Sequence, residues 1–146
     1  MYFFVPLIAG LILDQALKSW IRTNMTIGQS IPVIQNIFHI TYIENPGAAF
    51  GILANQRILF LILTALITGI MVYLYLNLRN KKSVAALSLG LVISGAIGNF
   101  IDRFIQGTVT DMFDFRIWPV FNIADICICI GIALLCYILI FKGEEF

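Results

Sequence analysis

Four acids and a few amides stand out in a chain that otherwise has little polar chemistry to offer. Asp111 lies in "GTVTDMFDF", and Asp125 lies 14 positions on, in "FNIAD", at the mouth of an apolar run from Phe121 to Phe141. Asn122 precedes Asp125 by three, which puts both on one helical face in the first turn, where the helix dipole favours a carboxylate and either residue can cap the helix. Further back, "SGAIGNFIDRF" sets Gly95, Asn99 and Arg103 four apart on one stripe, with Asp102 beside them, and "DQALK" sets Asp14 and Lys18 four apart on another. Ionisable groups inside apolar runs are costly and are functional suspects by default. Asp14 and Lys18 read equally as a self-neutralising pair that fixes helix packing. Gly95 and Gly98 read mainly as points of close helix approach.

Other chemistries fall away by elimination. The single histidine, His39, has no ligand partner nearby in sequence, so no metal site is expected. Ser94 has neither a nucleophile elbow nor an inward histidine. Cys127, Cys129 and Cys136 sit in one apolar run, and the first two point to nearly opposite sides of a helix, so they read as packing residues. No glycine loop built to cradle phosphate precedes a helix, and no cofactor is expected. What remains is acid–base work by two carboxylates. Held close together they cannot both ionise, so one can activate water while the other, protonated, polarises a carbonyl. Asp111, on a loop, and Asp125, on a helix mouth, are the best-placed pair.

The elements that must position these groups follow from composition. Of the 146 residues 60% are hydrophobic and 12% charged, and the mean hydropathy is +0.96. Charge is thus about half what a soluble domain carries. Four apolar blocks, at about 2–21, 58–78, 84–104 and 121–141, are each long enough to cross a bilayer as a helix. The first lacks a basic start and a small-residue cleavage site, so it is expected to be a retained span and not a removable signal peptide. An even number of spans places both termini on one side. Arg79, Lys81 and Lys82 crowd into the turn between spans two and three and mark that side as cytoplasmic, although the raw count is even: with Lys142 they make four, against Arg22, Arg57, Arg103 and Arg116 opposite. Trp118 suits the lipid–water boundary.

Between spans one and two, a segment at about 25–56 is rich in β-branched and aromatic residues and predicts two or three short strands. The expected fold is therefore all-α integral membrane, a four-transmembrane-helix bundle with a small β-sheet cradle on the outer membrane surface between helices one and two. It forms one domain over residues 1–146. A net charge of +1 gives no field for nucleic acid. Asp14, Asn99, Asp102, Arg103, Asp111, Asn122 and Asp125 all lie toward the same side of the bilayer, which is the main reason to expect a site.

These motifs also carry a family resemblance over essentially the whole length. "DQALK", "NPGAAFG" at 45–51, "GAIGNFIDR", "VTDM" and "FNIAD" occur in the order found in the bacterial lipoprotein signal peptidases, or signal peptidase II, which the chain resembles. The resemblance implies an aspartyl protease with Asp111 and Asp125 catalytic. Asn45, Asn99, Arg103 and Asn122 would line or hold the substrate groove, Asp14 and Lys18 would brace it, and Gly47 would lie in a nearby loop. The implied substrate is a prolipoprotein carrying diacylglycerol on a cysteine, cleaved just before that cysteine. The cyclic peptide globomycin would bind between the two carboxylates. Thr110 and Met112 depart from the valine and phenylalanine frequent beside this aspartate, with no expected effect on chemistry. The implied setting is the bacterial inner membrane, in contact with membrane lipid, as a monomer. Rival readings are a small proton-coupled transporter, a non-catalytic membrane assembly factor, or an intramembrane protease of the prepilin type. The first needs acids spread across the bilayer, the second would tolerate alanine at Asp111, and the third would ignore the lipid on the substrate.

Overall fold

The computed structural model describes residues 1–47 and 55–141. It contains four helices long and apolar enough to span a membrane: α1 (Phe4–Asn24), α2 (Arg57–Asn77), α3 (Val84–Ile105) and α4 (Ile123–Phe141). Three short strands, β1 (Ser30–Ile34), β2 (Phe38–Asn45) and β3 (Val109–Asp114), form one antiparallel sheet in the order β1-β2-β3.

Helix α3 is the hub and packs against the other three. Its sequence explains why: Ala85, Ala86, Ser88, Gly90, Ser94, Gly95, Ala96 and Gly98 are small and buried, so neighbouring backbones come close. A β-carbon on Gly95 would collide with the Ala124 carbonyl of α4, and one on Gly98 would sit 2.5 Å from Asp14 Oδ2 of α1. These two glycines thus bring α4 and the α1 carboxylate against one stretch of α3. At the opposite end Leu89, Ile93, Leu135 and Ile138 close an apolar core with Phe3 and Leu78. Helix α2 has no fully buried residue; Met71, Leu74 and Tyr75 pack against the apolar core, while Ile58, Ile62, Leu66, Ile70 and Leu76 are exposed, where lipid replaces protein contacts. It ends at Leu78, where the Lys81 ammonium caps the Tyr75 and Leu76 carbonyls. Helix α3 starts on Ser83, whose hydroxyl accepts from Ala86 N.

The sheet departs from expectation in one instructive way. Two of its strands come from the segment between α1 and α2, as anticipated, but the third comes from the connection between α3 and α4. Asp111 therefore lies on a strand, not on a loop. The reversal begins at Gly107, whose φ of +86° ends α3 and turns the chain back under the bundle. β3 then pairs with β2, Ile43 opposite Asp111 and Asn45 opposite Val109. Its side chains alternate. Thr110 and Met112 turn toward α1, where Met112 packs with Ile21, Met25 and Tyr42, while Val109 and Asp111 turn toward a cavity. Residues 48–51 of the small-residue stretch, 52–54 after it, and Lys142 lie outside the described residues.

The packing at α3 predicts opposite outcomes for one substitution at two glycines. Gly95→Ala should destabilise the protein by about 1–3 kcal/mol through overpacking. Gly69→Ala, where the added carbon meets nothing within 4 Å, should stabilise α2 by roughly 0.5–1 kcal/mol. Thermal or denaturant unfolding in detergent measures both, and equal effects would refute the close-approach account.

Candidate active site

The polar groups assemble from the interior outward. Lys18 is fully buried, and an ammonium has three N–H donors and no acceptor. Its Nζ lies 2.9 Å from Asp14 Oδ2, 3.2 Å from Asp102 Oδ2 and 2.9 Å from Asn99 Oδ1. All three donors are used, and the two buried carboxylates balance two cations, Lys18 and Arg22, the latter reaching Asp102 Oδ1 at 3.4 Å. Asp14 also accepts the Ala124 N–H at 2.9 Å and so pins the first turn of α4. Gln15 bridges Asp14, the Gly98 carbonyl and Asp102.

Because Lys18 can only donate, the Asn99 atom it touches must be the carbonyl oxygen, and the NH2 of that amide is forced outward. It donates to Asp125 Oδ1 at 2.8 Å. The same logic orients Asn122. The Asp125 N–H donates to Asn122 Oδ1 at 2.9 Å, and the Asn122 N–H donates to Asp125 Oδ2 at 3.2 Å, a reciprocal capping box at the start of α4. The Asn122 NH2 is thereby turned to Asp111 Oδ1 at 2.7 Å and to Asn99 Oδ1 at 3.1 Å. Asn45 follows suit: Gly47 N–H occupies its carbonyl oxygen at 3.0 Å, and its NH2 donates to Asp111 Oδ2 at 3.0 Å. Three asparagines on three elements thus each aim an amide at one of two carboxylates.

Asp111 and Asp125 line the same cavity of about 550 Å³, with Asn45, Gly47, Asn99 and Arg103. Arg103 donates to the Gly47 carbonyl at 2.9 Å and stacks over the Phe60 ring at 4.6 Å, and its charge interacts with both aspartates. The rest of the wall is apolar and includes Val109, Trp118, Phe121, Ile126 and Ile130. Trp118 and Ile130 are also exposed, so the cavity is open to the surface beside α4. Asp14, Lys18, Asp102 and Gly95 lie behind this wall and do not line it.

Asp111 titrates far from an ordinary carboxyl. Burial, then the nearby Asp125 charge, push it from 3.8 up to about 7, against the amide donors and Lys18, which pull it down. Three residues along the same strand, Asp114 is held below the usual range. Burial works upward there too, but is outweighed by donors from Arg116 N–H, the Thr41 hydroxyl and the Arg116 guanidinium. One strand therefore carries one carboxyl poised near neutrality and one firmly ionised. Arg22, Gln15 and Thr110 belong to the polar cluster and were not expected as site residues from the sequence. Arg22 and Gln15 sit within "DQALKSWIR", where helical spacing from Asp14 and Lys18 was the available signal.

A multi-pass helical membrane protein with paired acids lining an open cavity defines a class, the membrane-embedded enzymes. Residues 7–141 match the sequence model of signal peptidase (SPase) II, and the chain belongs to that family of proteases. It is 46% identical over 132 residues to the lipoprotein signal peptidase of Halothermothrix orenii, covering 90% of each chain. It is 47% identical over 136 residues to that of Clostridioides difficile, covering 91% of each. Against the lipoprotein signal peptidase of Moorella thermoacetica the identity is 44% over 145 residues, 99% of this chain and 97% of the relative. A bacterial membrane enzyme structure solved by the in meso method at 2.3 Å resolution superposes with a TM-score of 0.88 at 34% identity, over 97% of this chain and 91% of that one.

The electrostatics give a direct spectroscopic expectation. Native Asp111 binds its proton more tightly than the unfolded chain does, so its contribution to stability is fullest below about 3.8 and is lost as pH rises through about 7. An infrared band of protonated carboxyl, assigned by its loss in Asp111→Asn, should disappear with a midpoint near 7. Asp125→Asn should move that midpoint down, yet leave it above 3.8 because burial remains. A wild-type midpoint near 3.8 would refute the assignment.

Proposed function

We propose that this protein is an intramembrane aspartic endopeptidase that removes the signal peptide from diacylglyceryl-modified prolipoproteins, cutting just before the lipidated cysteine. One observation carries the reading: Asp111 and Asp125 come from a strand and a helix mouth to one cavity, are tied together through Asn122 and Asn99, and are electrostatically coupled. With Asp111 near neutrality, it is the member that holds the proton at rest, and Asp125 is the base. Asp125 takes a proton from water as the oxygen attacks the scissile carbonyl carbon, and Asp111 gives its proton to the carbonyl oxygen. The tetrahedral diol then collapses. Asp125 delivers its proton to the departing nitrogen, the C–N bond breaks, and Asp111 recovers a proton from a diol hydroxyl. The products are the signal peptide carboxyl and the free amine of the lipidated cysteine.

The remaining groups fit this substrate. Arg103 and Asn45, at the polar rim, suit peptide carbonyls, and the apolar wall along Ile126 and Ile130 suits acyl chains arriving from the bilayer. The basic turn at Arg79, Lys81 and Lys82 supports cytoplasmic termini in the inner membrane and a site at the outer leaflet. The chain would work as a monomer in contact with lipid, with the sheet against the membrane surface. Globomycin would compete for the space between the carboxylates. The described acids of the spans cluster at one end, which disfavours a transbilayer proton relay.

Asp111→Asn and Asp125→Asn should each lower cleavage of a diacylglyceryl-modified prolipoprotein peptide by about 10²–10⁴-fold while leaving a folded protein. Undiminished cleavage by either purified variant would sink the mechanism. Equal cleavage of a peptide without lipid would instead favour a prepilin-type specificity.

A further inference from the structure

Asp111 has to be held at a fixed depth between two bodies, the sheet and the helix bundle. Its hydrogen bonds to Asn45 and Asn122 orient the carboxylate, but they do not fix how far β3 slides against α1 and α3. That task falls to the preceding residue. Thr110 is 1% exposed. Its N–H donates to Asp102 Oδ2 at 3.1 Å, and its hydroxyl accepts from Arg22 Nη1 at 3.2 Å. The same Arg22 nitrogen reaches Asp102 Oδ1 at 3.4 Å. One threonine on β3, one aspartate on α3 and one arginine in the last turn of α1 thus close a ring across three elements.

We propose that Arg22 and Thr110 are positioning residues for the reaction, a clamp that fixes the depth of Asp111 against the bundle through Asp102. The proposal rests on the two-aspartate reading. Strand geometry supplies the lever: Thr110 points to α1 and Asp111 to the cavity, so a shift of one moves the other. Arg22 has a second effect. Asp102 also accepts from Lys18, at 3.2 Å. Without Arg22, that carboxylate would keep the Gln15 amide and the Thr110 N–H, and its cationic partner among the described residues would be the ammonium that also orients Asn99. Neither Arg22 nor Thr110 lines the cavity, so both can act on turnover without touching substrate. Met112, two residues on, reinforces the same face by apolar contact with Ile21 and Met25 of the α1 end.

The test compares purified full-length variants in detergent on a diacylglyceryl-modified prolipoprotein peptide. Thr110→Val keeps the shape and removes the hydroxyl; it should lower kcat by about tenfold, since small misplacements of a reacting group are costly, with KM unchanged. Thr110→Ser, which restores the hydroxyl, should recover most of the rate. Arg22→Met should lower kcat at least as far, and the double variant should be no worse than Arg22→Met alone, because the two act as one unit. Wild-type kcat in Thr110→Val, a serine variant as impaired as the valine variant, or multiplicative losses in the double variant would overturn the clamp. If Arg22→Met does not fold, the valine and serine pair decides alone. Asp111→Asn is measured alongside: retained cleavage there removes the two-aspartate reading and the clamp with it, whereas an inactive Asp111→Asn beside an unaffected Thr110→Val removes the clamp only.

Discussion

A buried ammonium cannot be left with an idle donor, and Lys18 meets that requirement with Asp14, Asp102 and Asn99. Unpaired, such a charge would cost several kcal/mol after every relaxation the protein could make. Its three partners lie on α1 and α3, and two of them hold further elements: Asp14 holds the first turn of α4, and Asp102 holds β3. The rest of the polar architecture inherits its geometry from this one group. Removing either carboxylate would leave one of two positive charges uncompensated, and removing Lys18 would leave two buried acids with Arg22 as the one remaining cation of the ion-pair cluster among the described residues.

The outer layer is built on a different principle. Around the two proposed catalytic carboxylates Asn45, Asn99 and Asn122 donate side-chain amides, which orient an oxygen without cancelling its charge. Arginine or lysine in direct contact would hold both acids ionised and spoil proton exchange. Neutral amides leave the burial and mutual repulsion free to keep one proton in the pair. The nearest cations, Lys18 and Arg103, stay one step away: the first touches Asn99, and the second bonds the Gly47 carbonyl. Fixed geometry and a mobile proton are thereby made compatible.

Much of this was legible in the residues, for identifiable reasons. A bilayer imposes length and hydropathy on a span, so the four helices announced themselves. Acids and amides inside such spans have few bland explanations, which is why Asp14, Asn99, Asp102, Arg103, Asn122 and Asp125 stood out. β3 was hidden because "VTDMFD" has no clean alternation and contains two aspartates, poor strand formers; only its pairing with β2 makes it a strand. Arg22 looked like an ordinary interfacial charge at a helix end. Thr110 looked incidental, since no local pattern reveals that a hydroxyl 88 positions away will meet that guanidinium.

The sheet draws its strands from two connections separated by a pair of spans, and this has a consequence for biosynthesis. As the chain leaves the ribosome, Asn45 is made long before Asp111, and Asp111 before Asn122 and Asp125. A nascent chain that stops after its third helix owns neither acid of the pair, and one that stops after β3 owns only Asp111, with no capped fourth helix to complete it. On the proposed two-aspartate mechanism, hydrolytic competence arrives only with the last insertion event.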